Sequence, residues 1–154
     1  MAKLKFRSVS DFEQYEGKEL GVSDYFYVSQ LNIDLFSFAT FDNQWIHTDL
    51  VRAKTEKPFH STIAHGYPTL ALFPYLFNQI VEVEGVRMAI NYEINNLCFK
   101  AAVLSGQSVR LRATLKDIRD LRNVAKVTIS VTMEIKETSE CALQGDVVFL
   151  YSFN

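Results

Sequence analysis

A chain of 154 residues with 48% apolar and 22% charged side chains has the composition of one soluble globular domain, 1–154, large enough to bury its own core. Its formal net charge of −2 argues against nucleic acid as an electrostatic partner. No apolar run reaches the roughly 18 residues that a membrane span needs, and the start, Met1-Ala2-Lys3-Leu4-Lys5-Phe6-Arg7, lacks the apolar stretch of a secretion signal.

In chain order, Ser8-Val9-Ser10-Asp11 with Phe12 and Tyr15 predicts a short capped helix, stopped at Gly17. Lys18 to Val28, rich in Val, Tyr and Phe, is strand-like. Ser29 is placed to cap a helix reaching about Thr40, with Leu31, Leu35 and Phe38 at helical spacing and Ile33 and Phe36 widening that apolar face. From Phe41 to Thr62 periodicity fades. A loop of this length suggests function, with a turn of helix at Asp49–Lys54, Asp49 as its cap and Trp45 packing the loop. The next helix, from about Gly66 to Val81, is apolar on nearly all sides (Leu70, Leu72, Phe73, Leu76, Phe77, Ile80) and is expected to be buried. Pro68 fits its first turn, whereas Pro74 should kink it or split it in two.

After Gly85 the period changes to that of strands: Arg87–Ile94, Asn96–Phe99, Ser108–Asp120, Asn123–Glu137 and Cys141–Phe153. Asp120-Leu121-Arg122-Asn123 and Thr138-Ser139-Glu140 supply turns. A meander with short connections and one buried helix predicts an α+β fold whose antiparallel sheet curls around that helix, the hot-dog arrangement. Twelve Phe and seven Tyr point to a thick core, an apolar ligand tunnel or a subunit interface. Arg110 and Arg112 share one strand face, usually a solvated one, although such a pair could meet ligand phosphates. Cys98 and Cys141 fit no redox or metal spacing, so a reduced, cytoplasmic protein is expected.

The chemistry concentrates in Ala39-Thr40-Phe41-Asp42-Asn43-Gln44-Trp45-Ile46-His47. An Asp-Asn pair is ordinarily a turn, and a lone His is ordinarily structural. Together in a long loop beside a buried helix, Asp42 and His47 can share one water and move its protons. Such acid–base help is worth roughly 10²–10⁴-fold in rate. Gly66, at the start of the buried helix, either permits close packing or offers a bare N–H to a developing oxyanion. By analogy with other oxyanion holes that donor is worth about 3–4 kcal/mol. The pattern suits adding water to, or removing it from, an activated double bond. His47, His60 and His65 fit no standard metal spacing.

These residues resemble the R-specific enoyl-CoA hydratase signature of MaoC-like dehydratases. Asp42 and His47 have its separation, Ile46 precedes the His, Ala53 closes the following gap, and Ala64-His65-Gly66 matches its later His-Gly. Asp42-Asn43-Gln44-Trp45-Ile46-His47 is similar to the NodN-like branch, as are Ile90-Asn91-Tyr92 and Phe99. The chain differs at Phe41, where the family has Gly; at Pro74, where some members carry a hydroxyl; at Tyr92-Glu93; and at Phe99-Lys100-Ala101-Ala102. The resemblance implies a hot-dog homodimer with an acyl-pantetheine tunnel near the subunit interface and no metal or other cofactor. Asp42 and His47 would activate the water that adds at C3 and protonate C2 of a trans-2-enoyl thioester of CoA or acyl carrier protein. The Gly66 N–H would hold the thioester oxygen, and Gln44 would support the site by hydrogen bonds. A (3R)-3-hydroxyacyl thioester is the expected product. An acyl-CoA thioesterase and a non-catalytic acyl-thioester-binding subunit are the alternatives.

Overall fold

A computed structural model of the protein describes residues 3–122 and 124–154. In chain order the elements are β1 (Leu4–Phe6), α1 (Val9–Glu13), β2 (Glu19–Val22), β3 (Phe26–Tyr27), α2 (Gln30–Thr40), α3 (Trp45–Thr48), α4 (Leu50–Thr55), α5 (Gly66–Ala71), α6 (Phe73–Ile80), β4 (Val81–Val83), β5 (Val86–Phe99), β6 (Ser108–Asp120), β7 (Val124–Ile135) and β8 (Cys141–Phe153). The main sheet is antiparallel and runs β2-β6-β7-β8-β5, with β3 also paired to β6.

Alternation builds the core. Val109, Leu111, Ala113 and Leu115 of β6 and Ala125, Val127, Ile129 and Met133 of β7 are wholly buried, because successive strand side chains point to opposite faces. Against that face lies α6, which contributes Phe73, Leu76, Phe77 and Ile80. Phe73 stacks on Phe149 of β8 with ring centroids 5.5 Å apart. This is the expected α+β architecture, an antiparallel sheet around an apolar helix.

Local chemistry sets several boundaries. Ser8 accepts from the Asp11 N–H and starts α1. Ser29 and Asn32 form a reciprocal capping box at the start of α2. Asp49 accepts from the Val51 and Arg52 N–H groups and caps α4, while the Arg52 guanidinium lies 4.1 Å from the Trp45 ring centroid and packs the loop. The helix expected from Gly66 to Val81 is split at Leu72, with Pro74 in the first turn of α6, where a missing N–H costs least.

Four expectations change. The Lys18–Val28 strand divides into β2 and β3. The two strands 87–94 and 96–99 are one strand, β5, whose register shifts between Asn95 and Cys98, where Asn96 takes a positive φ of 54°. Asn123, expected to open the following strand, lies outside the described residues; β7 begins at Val124. On α2 the buried side chains are Ile33 and Ser37, with Phe36 half-buried, while Leu31, Leu35 and Phe38 are exposed, because no element among the described residues covers that side. The central helix is likewise open on one side, at Tyr67 and Tyr75, rather than buried all round. A short parallel pairing of β1 with β4, unforeseen from the sequence, is held at its edge by Lys5 and Arg7, each 2.6 Å from Glu84.

Candidate active site

The Asp42–His47 segment leaves the C-terminus of α2 through Phe41, whose φ of 62° is left-handed. Glycine takes that conformation without strain. Here a phenylalanine holds it, with its ring 85% exposed. Ser37 of α2 then donates through Oγ to the Asp42 carbonyl at 2.6 Å, drawing the chain back across the helix end.

His47 sits in the single turn of α3. The Gln44 carbonyl accepts the His47 N–H at 3.0 Å, and Ile63 N–H donates to the Ile46 carbonyl at 3.0 Å. From α2, Gln30 donates through Nε2 to the His47 carbonyl at 2.8 Å and accepts from the Thr62 hydroxyl. The His47 ring is buried, and its Nδ1 lies 2.7 Å from the Ile63 carbonyl. A carbonyl only accepts, so Nδ1 carries the proton and Nε2 keeps its lone pair. Burial holds the His47 pKa below its usual 6.5, partly offset by the Ile63 carbonyl. His47 is thus a neutral base at pH 7.

The Asp42 carboxylate is 56% exposed. One carboxylate oxygen of Asp42 and one ring nitrogen each of His47 and His65 lie within 4.8 Å of one another, less than twice a hydrogen-bond length. A single water can touch both Asp42 and His47. The His47 and His65 rings lie nearly face to face, centroids 3.6 Å apart and planes 22° from parallel. Imidazole lone pairs lie in the ring plane, so these two run past each other rather than converge on a metal ion.

Gly66 is the first residue of α5, so its N–H has no partner within the helix. A Cβ there would come 2.8 Å from the Phe99 ring, which supplies a steric reason for glycine. Asp42, His47, Gly66, Tyr67, Phe99 and Ala102 line one cavity of about 380 Å³. Thr69 and Ala64 line it too, and they also line a neighbouring apolar cavity of about 340 Å³ between α2 and the α5–α6 pair, walled by Phe26, Ile33, Phe36 and Leu72.

The sequence-predicted residues are therefore distributed unevenly. Asp42, His47 and Gly66 meet at one cavity. The Gln44 side chain is exposed and makes no hydrogen bond among the described residues; its link to the site is its carbonyl. Pro74 lies away from this cavity. Arg110 and Arg112 each donate to Glu134 at 2.7 Å, which satisfies them with carboxylate rather than leaving them to a phosphate. Sequence reasoning missed Gln30, Ser37, His65 and Thr69 as parts of the site. Only the His-Gly pairing hinted at any of them, since the others lie on neighbouring helices with no spacing signal.

Among the described residues, no helix is long and apolar enough to cross a membrane. Residues 11–136 match the family described as MaoC like domain. A 3-hydroxyacyl-thioester dehydratase Z of Mycobacterium tuberculosis is 40% identical over 147 residues, 95% of this chain and 97% of that protein. Nodulation protein N of Rhizobium meliloti is 36% identical over 149 residues, 96% and 92% of the two chains. The solved R-hydratase PhaJ1 of Pseudomonas aeruginosa superposes with a TM-score of 0.73 at 17% identity, over 90% of this chain and 83% of that one, which bears on the fold alone. This chain, with its sheet curled around α6 and its Asp–His loop beside α5, is a member of the MaoC-like dehydratase family and has the hot-dog fold.

Proposed function

We propose that the protein adds water to a trans-2-enoyl thioester to give a (3R)-3-hydroxyacyl thioester, and catalyses the reverse dehydration. The observation that carries this reading is the Asp42 and His47 pair, spaced for one shared water in the cavity that Gly66 opens onto. His47 Nε2 takes a proton from the water as its oxygen bonds to C3. The π electrons of the C2–C3 bond move onto the thioester oxygen, which accepts from the Gly66 N–H. As that enolate collapses, C2 takes a proton back from the Asp42/His47 pair, which returns to its starting state. The acyl chain extends past Thr69 into the apolar cavity between α2 and α5–α6. Gln44 supports His47 through its carbonyl. CoA is the carrier chosen for the test.

Two copies pair in this reading along β5. Among the described residues that strand has a neighbour on one edge only, β8, and it exposes Met88, Ile90, Tyr92 and Ile94. A long, apolar, unpaired edge is what a second copy covers.

The test follows loss of the enoyl absorbance of crotonyl-CoA and a longer trans-2-enoyl-CoA, with free thiol measured in parallel. Absorbance loss without thiol release is expected. Thiol release instead would identify a thioesterase, and ligand-induced thermal stabilisation without turnover a binding subunit. Asp42→Asn and His47→Ala should each lower turnover at least about a hundredfold, within the usual range for acid–base groups, while leaving the fold intact.

A further inference from the structure

Proton transfer through Asp42 and His47 leaves one buried imidazole beside them without a task. His65 is 3% exposed. Its Nε2 lies 3.0 Å from the Asp42 carbonyl oxygen and 3.9 Å from Asp42 Oδ2. Its ring stacks on His47 at 3.6 Å and meets Phe36 at 5.0 Å. Its other nitrogen, Nδ1, is buried without a hydrogen-bond partner among the described residues.

These contacts fix the state of the ring. Both groups near Nε2 are acceptors, so Nε2 carries the proton and Nδ1 the lone pair. His65 is therefore an N–H donor through Nε2.

What it holds would otherwise be loosely held. Asp42 follows a phenylalanine in the left-handed region, and among the described residues no side chain donates to its carboxylate within hydrogen-bond distance. The Asp42 carbonyl is instead gripped from two directions, by Ser37 Oγ of α2 at 2.6 Å and by His65 Nε2 at the start of α5 at 3.0 Å. His65 thus ties the loop that carries Asp42 to the residue preceding Gly66. Its flat face also sets the plane of His47, whose Nδ1–H is already committed to Ile63.

We propose that His65 is a positioning residue for the Asp42/His47 pair: its Nε2–H anchors the Asp42 loop to the start of α5, and its ring face fixes the orientation of His47. This role rests on the proposed proton transfer through Asp42 and His47. Misplacing a reacting group by about 1 Å can cost on the order of 10²-fold, so the effect falls on turnover rather than on substrate binding.

The test compares His65→Phe, which keeps the flat ring and loses the donor, with His65→Gln, which keeps an N–H donor and loses the ring. Both are assayed on the enoyl-CoA that the wild type hydrates fastest, with kcat and KM separated and folding checked by circular dichroism. His65→Phe is expected to lower kcat at least about tenfold with KM within about twofold. His65→Gln should recover part of that loss. The ring ¹⁵N shifts of wild-type His65 should report a proton on Nε2. A folded His65→Phe with wild-type kcat, a His65→Gln no better than His65→Phe, or a ring without a proton on Nε2 overturns the proposal. Should His65→Phe fail to fold, the ring shifts and His65→Gln decide. Asp42→Asn and His47→Ala serve as controls. If those two retain wild-type turnover, the proton-transfer reading itself falls; if they lose it while His65→Phe does not, only the role of His65 falls.

Discussion

Strands β7 and β5 carry similar apolar patterns and meet different fates. In β7, every second residue from Ala125 to Ile135 is buried, and the alternate ones are half-buried. In β5, Met88, Ile90, Tyr92 and Ile94 also alternate, yet all four are exposed. The difference lies in their neighbours. β7 pairs with β6 and β8 and has α6 beneath its sheet, whereas among the described residues β5 pairs with β8 alone. Alternation therefore says that a face is to be covered, not that its own chain covers it. The helix α2 repeats the lesson, with Ile33 buried on one side and Leu31, Leu35 and Phe38 exposed on the other.

Substitutions in the two strands should have different consequences. The largest effect belongs to Ile129→Ala in β7, where the side chain is fully enclosed. It should cost about 2–5 kcal/mol in urea unfolding. A loss as small as that of a surface change would mean that β7 is not the packed strand its burial implies. Next comes Ile90→Glu together with Ile94→Glu in β5. The proposed pairing of two copies along β5 predicts a solution mass by light scattering that falls from two chains to one, with the circular dichroism of the subunit unchanged. A collapse of secondary structure in this variant would erase the distinction between the two strands.

The same contrast of covered and uncovered groups runs through the site, where His47 is buried and Asp42 is open. Because burial depresses the His47 pKa, the unfolded chain binds a proton there more readily than the native one. Its contribution to stability is therefore complete above pH 6.5 and is lost as pH falls through the lower native value. For the same reason the acidic limb of hydration should lie below pH 6.5, measured as kcat/KM against pH. A limb above that value would mean that the imbalance between the two groups has the opposite sign. The smallest effect is expected for Phe41→Gly. It relieves a left-handed backbone while removing a ring that buries almost nothing, and should raise stability by about 1 kcal/mol or less. A clear loss of stability would show that the exposed ring is packed against something in solution.

Much of the fold is legible in the residues alone, for local reasons. The bounds of α2 follow from Ser29 and Asn32 bonding one another's backbone within a single turn. Asp49 caps α4 through N–H groups two and three residues on. β6 and β8 keep the limits that their alternation marks, and Asp42 and His47 stand in one short segment whose spacing suggests a common water. Less legible is anything that needs a distant partner. The break between the two strands expected in residues 87–99 is a single left-handed Asn96 within one continuous strand. Arg110 and Arg112 stand on one strand face as predicted, but their partner is Glu134 on the adjacent strand.

The order of amino acids is thus sufficient for α1, α2, α4, β6 and β8, for the capping and for the presence of an Asp–His pair. Each depends on residues a few positions apart, where backbone geometry leaves little choice. Packing in three dimensions is what selects the apolar faces that are covered, and what brings His65, 23 positions beyond Asp42, onto its carbonyl while stacking it on His47. Those outcomes depend on how α2, α3 and α5 converge, and that convergence is set by the shared burial of many side chains rather than by any local spacing.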